Sequence, residues 1–515
     1  LCAVTPPAAI SFGNPTRSLP DWRAACIGLP GTAAWEPLTA MTTGLMFDGY
    51  DPQQFYCELL RCAAATAVRD RLSQQPVVDF ARRAAAAEQA LYNFGITFTV
   101  YSEQSAIDRI LPFDPIPRIL TADEWRQIEA GIIQRVTVLN LLLDDIYHEQ
   151  KILKDRVVPA DLILGNANYR PSMRDVAVPH KAYVNICGTD IIRGGDGKFC
   201  VLEDNARIPS GVSYVIENRH MMLRAFPDLV DGVALRPVDE YGSRLAAAMR
   251  ELAPVQCGDA QIVLLSPGIY NSAYFEHVFL AREMGVPLVE GRDLVVQNDK
   301  VYMRTIGGLH RVDVIYRRVN DDFLDPEAFR ADSLLGVPGI MRAYHLGNVA
   351  LANAVGTGVA DDKAVYAYMP RIIRYYLGED AILPNVETNL CREPEGLSYT
   401  LDHLAQLVVK PVGEAGGYGI TIGPKASRTE LAACRDKLLT DPANYISQPC
   451  IDLSVAPTLV DGEVGPRHVD LRPFAITGKD TWVLPGGLTR VALRHGSLVV
   501  NSSQGGGSKD TWVLE

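Results

Sequence analysis

Apolar positions recur every three or four residues from Ile128 through Ile132, Val136 and Leu139 to Leu143, a period that predicts one long amphipathic helix running to about Gln150. Thr121-Ala-Asp-Glu124, directly upstream, is the capping-box pattern that starts such a helix. Two earlier helical stretches, FYCELLRCAAATAVRDRL and VVDFARRAAAAEQALYNFG, fill residues 55–95, with Gly95 as the stop. A strand, ITFTVY, follows at 96–101. Residues 1–40 are rich in Pro, Gly, Thr and Ala without any period, and are expected to form a loosely structured arm.

The character changes after Gln261. QIVLLSPG reads as a buried strand, SAYFEHVFLAREMG as a helix ending at Gly285, and VPLVEG as a strand. LVVQNDKVYMRT is a hairpin around Asn298-Asp299, and VDVIYRRV is a further strand. Strands alternating with helices predict a small open α/β domain. Its first turn, SPGIYNSAYFEH, is not a G-x-G-x-x-G loop, so no dinucleotide site is inferred. Beyond residue 361 the pattern predicts a helix in DDKAVYAYMPRIIRYYLG and a strand, a Gly-rich loop and a strand in QLVVKPVGEAGGYGI. A helix near 428–439 follows, then strands in YISQPCI, HVDLRPFAI and TWVLPGGLTRVAL, and the closing SLVVNSSQGGGSKDTWVL.

Chemistry concentrates in Gly188–Gly211. Two strands flank the turn Gly194-Gly-Asp-Gly197, a hairpin signature. Asp190 and Glu203 can therefore meet across the ladder, and Glu203 and Asn205, two apart, share a face. Three converging oxygen donors suit Mg²⁺, which also offsets the penalty of burying carboxylates behind the apolar run Phe-Cys-Val-Leu. Lys410 closes the apolar strand LVVK and precedes a loop whose Gly416, Gly417 and Gly419 let backbone N–H groups approach a phosphate. In YISQPCID, Gln448, Cys450 and Ile451 are placed to meet an adenine edge. Arg472 and Arg490 alternate with apolar neighbours, and arginine forks suit phosphates and carboxylates.

The 515 residues are enough for two to four domains, and the net charge of −12 argues against a general binder of nucleic acid or acidic membrane. No apolar run approaches the roughly 20 residues needed to span a bilayer, and the first residues carry no signal-peptide pattern. Ten scattered cysteines without C-x-x-C or zinc spacing point to a reducing, cytoplasmic setting without structural disulfides.

Together these pieces resemble the ATP-grasp superfamily in its circularly permuted branch, with the metal strands ahead of the nucleotide-binding lysines. The resemblance covers about 45–514 and includes DPIPRILTADEW, LEDNARIPSGVSYVIENR, YRRVNDDFLDP, LVVKPVGEAGGYG and NSSQGGGSKDTWVL. The grasp region is similar to that of glutathionylspermidine synthetase, without its Cys amidase module. The resemblance implies an α+β and α/β fold, with two α+β lobes around ATP and an open α/β pre-grasp domain. The expected divisions are 1–40, the arm; 41–255, helices plus the permuted metal lobe; 256–360, the pre-grasp domain; and 361–515, the nucleotide-binding region.

It further implies a ligase that joins a carboxylate to an amine through an acyl phosphate, using ATP and Mg²⁺. Asp190, Glu203 and Asn205 would hold metal, with Asp204 competing. Lys363, Lys410 and the loop glycines would hold phosphates, residues 446–451 the adenine, and Arg207, Arg472 and Arg490 the transferred or acyl phosphate. Substrate candidates are Arg317, Arg318, Glu276 and His277, with Arg219 and Glu217 of similar standing. The partners would be small-molecule or peptide carboxylates and amines. A small-molecule kinase and a non-catalytic ATP-binding regulator are the alternatives.

Overall fold

The periodic stretch after Thr121 forms a single helix, Ala122–Tyr147, in the computed structural model, which describes residues 44–48, 50, 57–102, 105–254, 259–413, 419–498, 500 and 505–515. Its capping box closes in both directions: the Glu124 N–H donates to Thr121 Oγ1 (3.2 Å) and the Thr121 N–H to Glu124 Oε2 (2.9 Å). The predicted stripe Ile128, Ile132, Val136, Leu139 and Leu143 is wholly buried in the larger of the hydrophobic cores. The first expected helix instead breaks into Glu58–Arg61, a tight turn Ala63–Ala65 and Thr66–Ser73. Glu58 is pulled into the core by Arg118, which donates to it twice (2.7 and 2.6 Å), a tertiary demand that periodicity does not carry. Val77–Asn93 forms as expected, and Gly95 takes the left-handed conformation (φ 69°).

A nine-stranded sheet combines early and late parts of the chain. Its main path runs Thr481–Val483, Phe474–Thr477, Ile186–Arg193, Glu463–Arg472, Leu488–Val491, Gly507–Val513 and Phe113–Leu120. Phe199–Asn205 adds to Ile186–Arg193, and Val455–Val460 to Glu463–Arg472. The last strand pairs in parallel with Phe113–Leu120, so the end of the chain closes onto residues roughly 400 positions earlier. Where one strand is expected in TWVLPGGLTRVAL, two form, because Pro485 cannot donate to a ladder and Gly486 turns the chain (φ 156°).

The α/β prediction holds. Strands Ala350–Ala352, Val314–Arg317, Ile262–Leu265 and Leu288–Val289 form a parallel sheet in that order. Tyr274–Met284 is the crossover helix, stopped by Gly285. The Asn298-Asp299 turn has both residues at positive φ (49° and 58°), and an additional strand, Gly308–Arg311, widens the hairpin to three strands. A second small sheet orders Asn389–Leu390, Tyr445–Pro449, Leu407–Pro411 and Thr421–Ile422. The helix expected from Asp361 onward divides at Tyr368 into Lys363–Ala367 and Met369–Leu377, since Pro370 lacks the N–H needed to continue the first piece. Residues 1–43 lie outside the described residues, and the expectation of an arm lies with them. Among the described residues, no helix is long and apolar enough to cross a membrane.

Arg135 joins the long helix to the sheet. It is fully buried and donates twice to Asp204 (3.2 and 2.5 Å) and once to Asn385 (2.7 Å). Removing one member of a buried pair strands the other charge, so Arg135→Ala should destabilise the fold by about 3–5 kcal/mol. The check is the denaturation midpoint. A midpoint close to wild type would show that Asp204 needs no partner.

Candidate active site

Register decides which hairpin side chains meet. Gly188 lies opposite Asn205, Thr189 opposite Asp204 and Asp190 opposite Glu203. Strand alternation puts Asp190, Glu203 and Asn205 on one face and Asp204 on the other. Asp204 is therefore spent on Arg135, and on Thr189, whose hydroxyl donates at 3.1 Å; it does not compete for metal. Past Asp190 the ladder slips by one residue, so Ile191 faces Val201 and Leu202 is the bulged residue.

Asp190 itself is committed. Leu471 opposite Ile191 and Phe474 opposite Gly188 bring Arg472 beside Asp190. Arg472 makes a forked pair with both carboxylate oxygens, one contact being 2.8 Å. Arg490 donates to Asp190 Oδ2 (2.7 Å) and holds Asp470, its opposite across the next ladder (2.9 and 3.1 Å). Burial raises the Asp190 carboxyl, but the two guanidinium groups outweigh it and hold it well below the usual carboxylate range. Burial lifts Asp470 instead, against the pull of Arg490. Both oxygens of Asp190, one of the three residues expected to hold metal, accept from arginine in this structure. Arg490 lines neither cavity of the site; it supports the network.

Glu203 is different. It is partly exposed, with Lys363 Nζ at 3.6 Å and Arg472 Nη2 at 4.0 Å. Lys363 stands at the start of its helix, capped by Asp362, and its N–H reaches Val412 O (3.4 Å) at the end of the lysine strand. Lys410 is buried in that strand. Burial, reinforced by Lys363, pushes its ammonium down to about 8, while Glu203 and Asp190 pull it back up. Glu203 thus sits among three cations drawn from distant parts of the chain. Asn205 donates from Nδ2 to Gly188 O (3.1 Å), leaving Oδ1 as its oxygen donor. Glu203 and Asn205 fit a hard divalent cation in donor type and shared face. No cluster of three or more acidic, His or Cys side chains with metal-binding geometry occurs among the described residues.

A small cavity of about 20 Å³ is lined by Glu203, Asn205, Arg207, Asp361, Lys363 and Gly413, where the glycine loop begins. Gly416 and Gly417 lie outside the described residues; Gly419 adopts φ 71°, as a tight loop exit requires. Arg207 is held at Nε by Asp361 (2.6 Å). Gln448 is buried and its amide donates to Thr388 (2.9 Å), which directs that side chain away from a ligand role. Ile451 packs with Cys200, Leu202 and Leu498 against Ile192, Val386 and Leu453, an apolar cluster on the acidic hairpin. Cys450 is half-buried beside it.

A second cavity, about 430 Å³, shares Asn205, Arg207 and Asp361 with the first. His277 and Arg318 line it. Arg317 does not: it is buried on Asp321 (2.7 Å) and on the carbonyls of Asn353, Val319 and Ala354. Neither does Glu276, whose carboxylate caps the helix Val212–Ala225 by accepting from the N–H groups of Gly211 and Ser213. Arg219 is taken up by Asp510 and Thr511 O, and Glu217 lines neither cavity. Three residues were not anticipated: Asp361, Asp470 and Asn353. Only Asp361 lay in a recognisable pattern, the Asp-Asp-Lys opening a helix.

Comparison with known proteins gives the family and the fold. The family model described as circularly permuted ATP-grasp type 2 matches residues 117–492. An uncharacterized protein of Synechocystis is 52% identical over 92% of this chain and 99% of its own length. An uncharacterized protein of Mycobacterium tuberculosis is 52% identical over 84% of this chain and 78% of its own. A putative glutamate–cysteine ligase of Frankia casuarinae is 43% identical over 81% of this chain but only 48% of its own length. Among solved structures, a glutathione synthetase-like effector of Globodera pallida superimposes with a TM-score of 0.54 at 12% identity, over 85% of this chain and 98% of that one. At that identity the likeness speaks for the fold alone.

Burial, and then Arg318, push the His277 imidazole down to about 2. An unfolded histidine titrates near 6.5, so below that pH the unfolded chain takes up a proton that the folded chain refuses. Stability should fall as pH drops below about 6.5, with His277 contributing up to about 1.4 kcal/mol per pH unit. His277→Gln should remove that contribution, read as the difference in urea unfolding between variant and wild type at pH 5 and pH 7.5. The difference isolates His277 from His345 and His468, whose imidazoles are also lowered by burial. Equal losses in the two proteins would mean that His277 protonates freely.

Proposed function

The chain belongs to the circularly permuted ATP-grasp type 2 family, and from that premise we propose that it is an ATP- and Mg²⁺-dependent ligase joining a carboxylate to an amine. The observation that carries this reading is the convergence on Glu203 of Lys363, Lys410 and Arg472, three cations at one partly exposed carboxylate. Glu203 and Asp190 offset part of that positive charge. A polyphosphate would meet it, with Lys363 and Lys410 as fixed point charges and the glycine loop as backbone donor.

In the first half-reaction a substrate carboxylate oxygen bonds to the γ-phosphorus and the bond to the bridging oxygen breaks, releasing ADP and leaving an acyl phosphate. In the second, an amine nitrogen bonds to the acyl carbon, inorganic phosphate departs with the C–O electron pair, and the amine gives up a proton. Neither step needs a covalent enzyme nucleophile. The protein aligns the reactants and neutralises charge. Arg207, fixed at Nε by Asp361 on the boundary of both cavities, orients the transferred group; Arg472 holds charge beside Glu203. Glu203 and Asn205 would hold Mg²⁺, which supplies charge neutralisation on the phosphates.

The test is incubation with ATP, Mg²⁺ and pools of carboxylates and amines. ADP, phosphate and a new amide are expected. A stable phosphorylated product would replace the ligase reading with a kinase, and tight ATP binding without turnover would replace it with a regulator. Glu203→Gln should abolish turnover with an unchanged denaturation midpoint, and full metal-dependent activity in that variant would refute the metal assignment. Lys410→Met should lower turnover by about 10²–10³-fold, as loss of a preorganised charge does elsewhere. Near-normal turnover would remove Lys410 from the phosphate site.

A further inference from the structure

Every nitrogen of the Arg472 guanidinium has an acceptor. Nε and Nη2 fork onto Asp190, and Nη1 donates to the carbonyl of Ser210 (3.3 Å). The stem of the side chain is confined as well. It passes over Gly188, where a Cβ would lie 3.2 Å from Arg472 Cδ and 3.2 Å from Pro209 Cβ, closer than the roughly 3.5–4.0 Å of ordinary carbon contact. Gly188 lies within the regular strand Ile186–Arg193, so glycine serves there for space and not for backbone freedom.

Ser210 is fixed in turn from the opposite side. Arg318 donates from Nη1 to Pro209 O (2.7 Å) and from Nη2 to Ser210 Oγ (2.6 Å). The Gly211 N–H donates to Glu276 (2.7 Å), which itself pairs with Arg318 (3.1 Å). Both of these side chains come from the α/β part of the chain. Arg318 directly follows the strand Val314–Arg317, and Glu276 lies in the helix Tyr274–Met284. Arg318 and Ser210 line the larger cavity, while Arg472 stands beside Glu203 in the lining of the smaller one. A continuous run of hydrogen bonds thus leads from Arg318 through Ser210 to Arg472 and Asp190.

A fork onto one carboxylate sets the plane of a guanidinium but lets it rock about that edge, and a third acceptor removes the freedom. Aim matters, because a charge misplaced by about 1 Å costs on the order of 10²-fold in rate. We propose that Ser210 is a positioning residue for Arg472: its carbonyl fixes the guanidinium beside Glu203, and its hydroxyl ties that carbonyl to Arg318 in the wall of the larger cavity. The step that Arg472 assists rests on the ligase reading. The positioning itself does not, so the two can fail separately.

The experiment compares the full chain with Ser210→Ala, Arg318→Lys, the double variant and Gly188→Ala. Turnover is read as ADP formed over a range of ATP concentrations, with a carboxylate–amine pair that the wild type joins. Ser210→Ala should lower kcat by about fivefold or more, with KM for ATP changed by less than about threefold and the denaturation midpoint kept, since the lysines and the glycine loop still bind the ground state. Adding Ser210→Ala to Arg318→Lys should cost nothing further, because both changes cut one link. Gly188→Ala should lower kcat by about tenfold by pushing the Arg472 stem aside. A second readout needs no turnover. In NMR of protein carrying ¹⁵N-labelled arginine, the Arg472 Nε–H signal, identified by its loss in Arg472→Lys, should shift or broaden in Ser210→Ala. Wild-type kcat in folded Ser210→Ala or Gly188→Ala, a loss confined to KM, additive losses in the double variant, or an unchanged Arg472 signal would each overturn the proposal. If the wild type forms ADP with no pair, the ligase reading falls and the Arg472 signal alone decides the positioning.

Discussion

The site depends on a buried square of charge. Asp190 and Asp470 alternate with Arg472 and Arg490 across three adjacent strands, two of them beyond residue 460 and one from the first two hundred. Neither acid could be buried alone, since an unpaired carboxylate in a protein interior costs several kcal/mol or takes up a proton. Each is stable only when the early hairpin and the late strands share one sheet in one register. A one-residue slip would carry Asp190 to the opposite face, strip Arg472 of its carboxylate and leave Arg490 with Asp470 alone. The network therefore fixes the register and, through it, the positions of Glu203 and Asn205 beside the two lysines.

A second set of contacts ties the parallel sheet to this frame. The Asn353 side chain accepts from the N–H groups of Asn185 and Ile186 (2.8 and 2.7 Å) and donates to the carbonyls of Ile186 and Ala206 (2.7 and 2.8 Å). One amide thus braces the entry of the first hairpin strand and the exit of the second. Glu276 and Arg318, paired at 3.1 Å, do the same for the segment Pro209–Ser213. Apart from Arg318 Nε, these buried polar groups find their partners on another segment, which makes the placement of the larger cavity against the smaller one specific.

Much of the fold was legible along the chain. The helix Ala122–Tyr147 and its cap, the crossover helix ending at Gly285 and the Asn298-Asp299 turn follow from local patterns whose physics is local. The acidic hairpin was legible too, because a four-residue turn between two strands dictates which residues face each other. The contacts that spacing did not reveal have a common cause. Asp190 has the right type and spacing for a metal ligand, but its neighbours across the other ladder, Arg472 and Arg490, are nearly three hundred residues away. Arg317 and Arg318 differ by one position, and strand alternation sends one into a carbonyl cage and the other to a cavity wall. Glu276 is acidic, beside a site and on a helix, yet it caps a helix from another part of the chain.

By itself the sequence determined the elements, the pairing of Asp190 with Glu203, and the residue types able to handle phosphate and a divalent cation, since each follows from periodicity or spacing within a few residues. Tertiary structure alone decided which charges remain available. Burial makes every carboxylate and guanidinium seek a partner, and the partner is whichever group the sheet order brings within about 3 Å. That choice spent Asp190, Asp204, Arg317 and Glu276 on holding the fold, and set Glu203, Asn205, Arg207 and Lys363 in the lining of the smaller cavity, with Lys410 buried nearby.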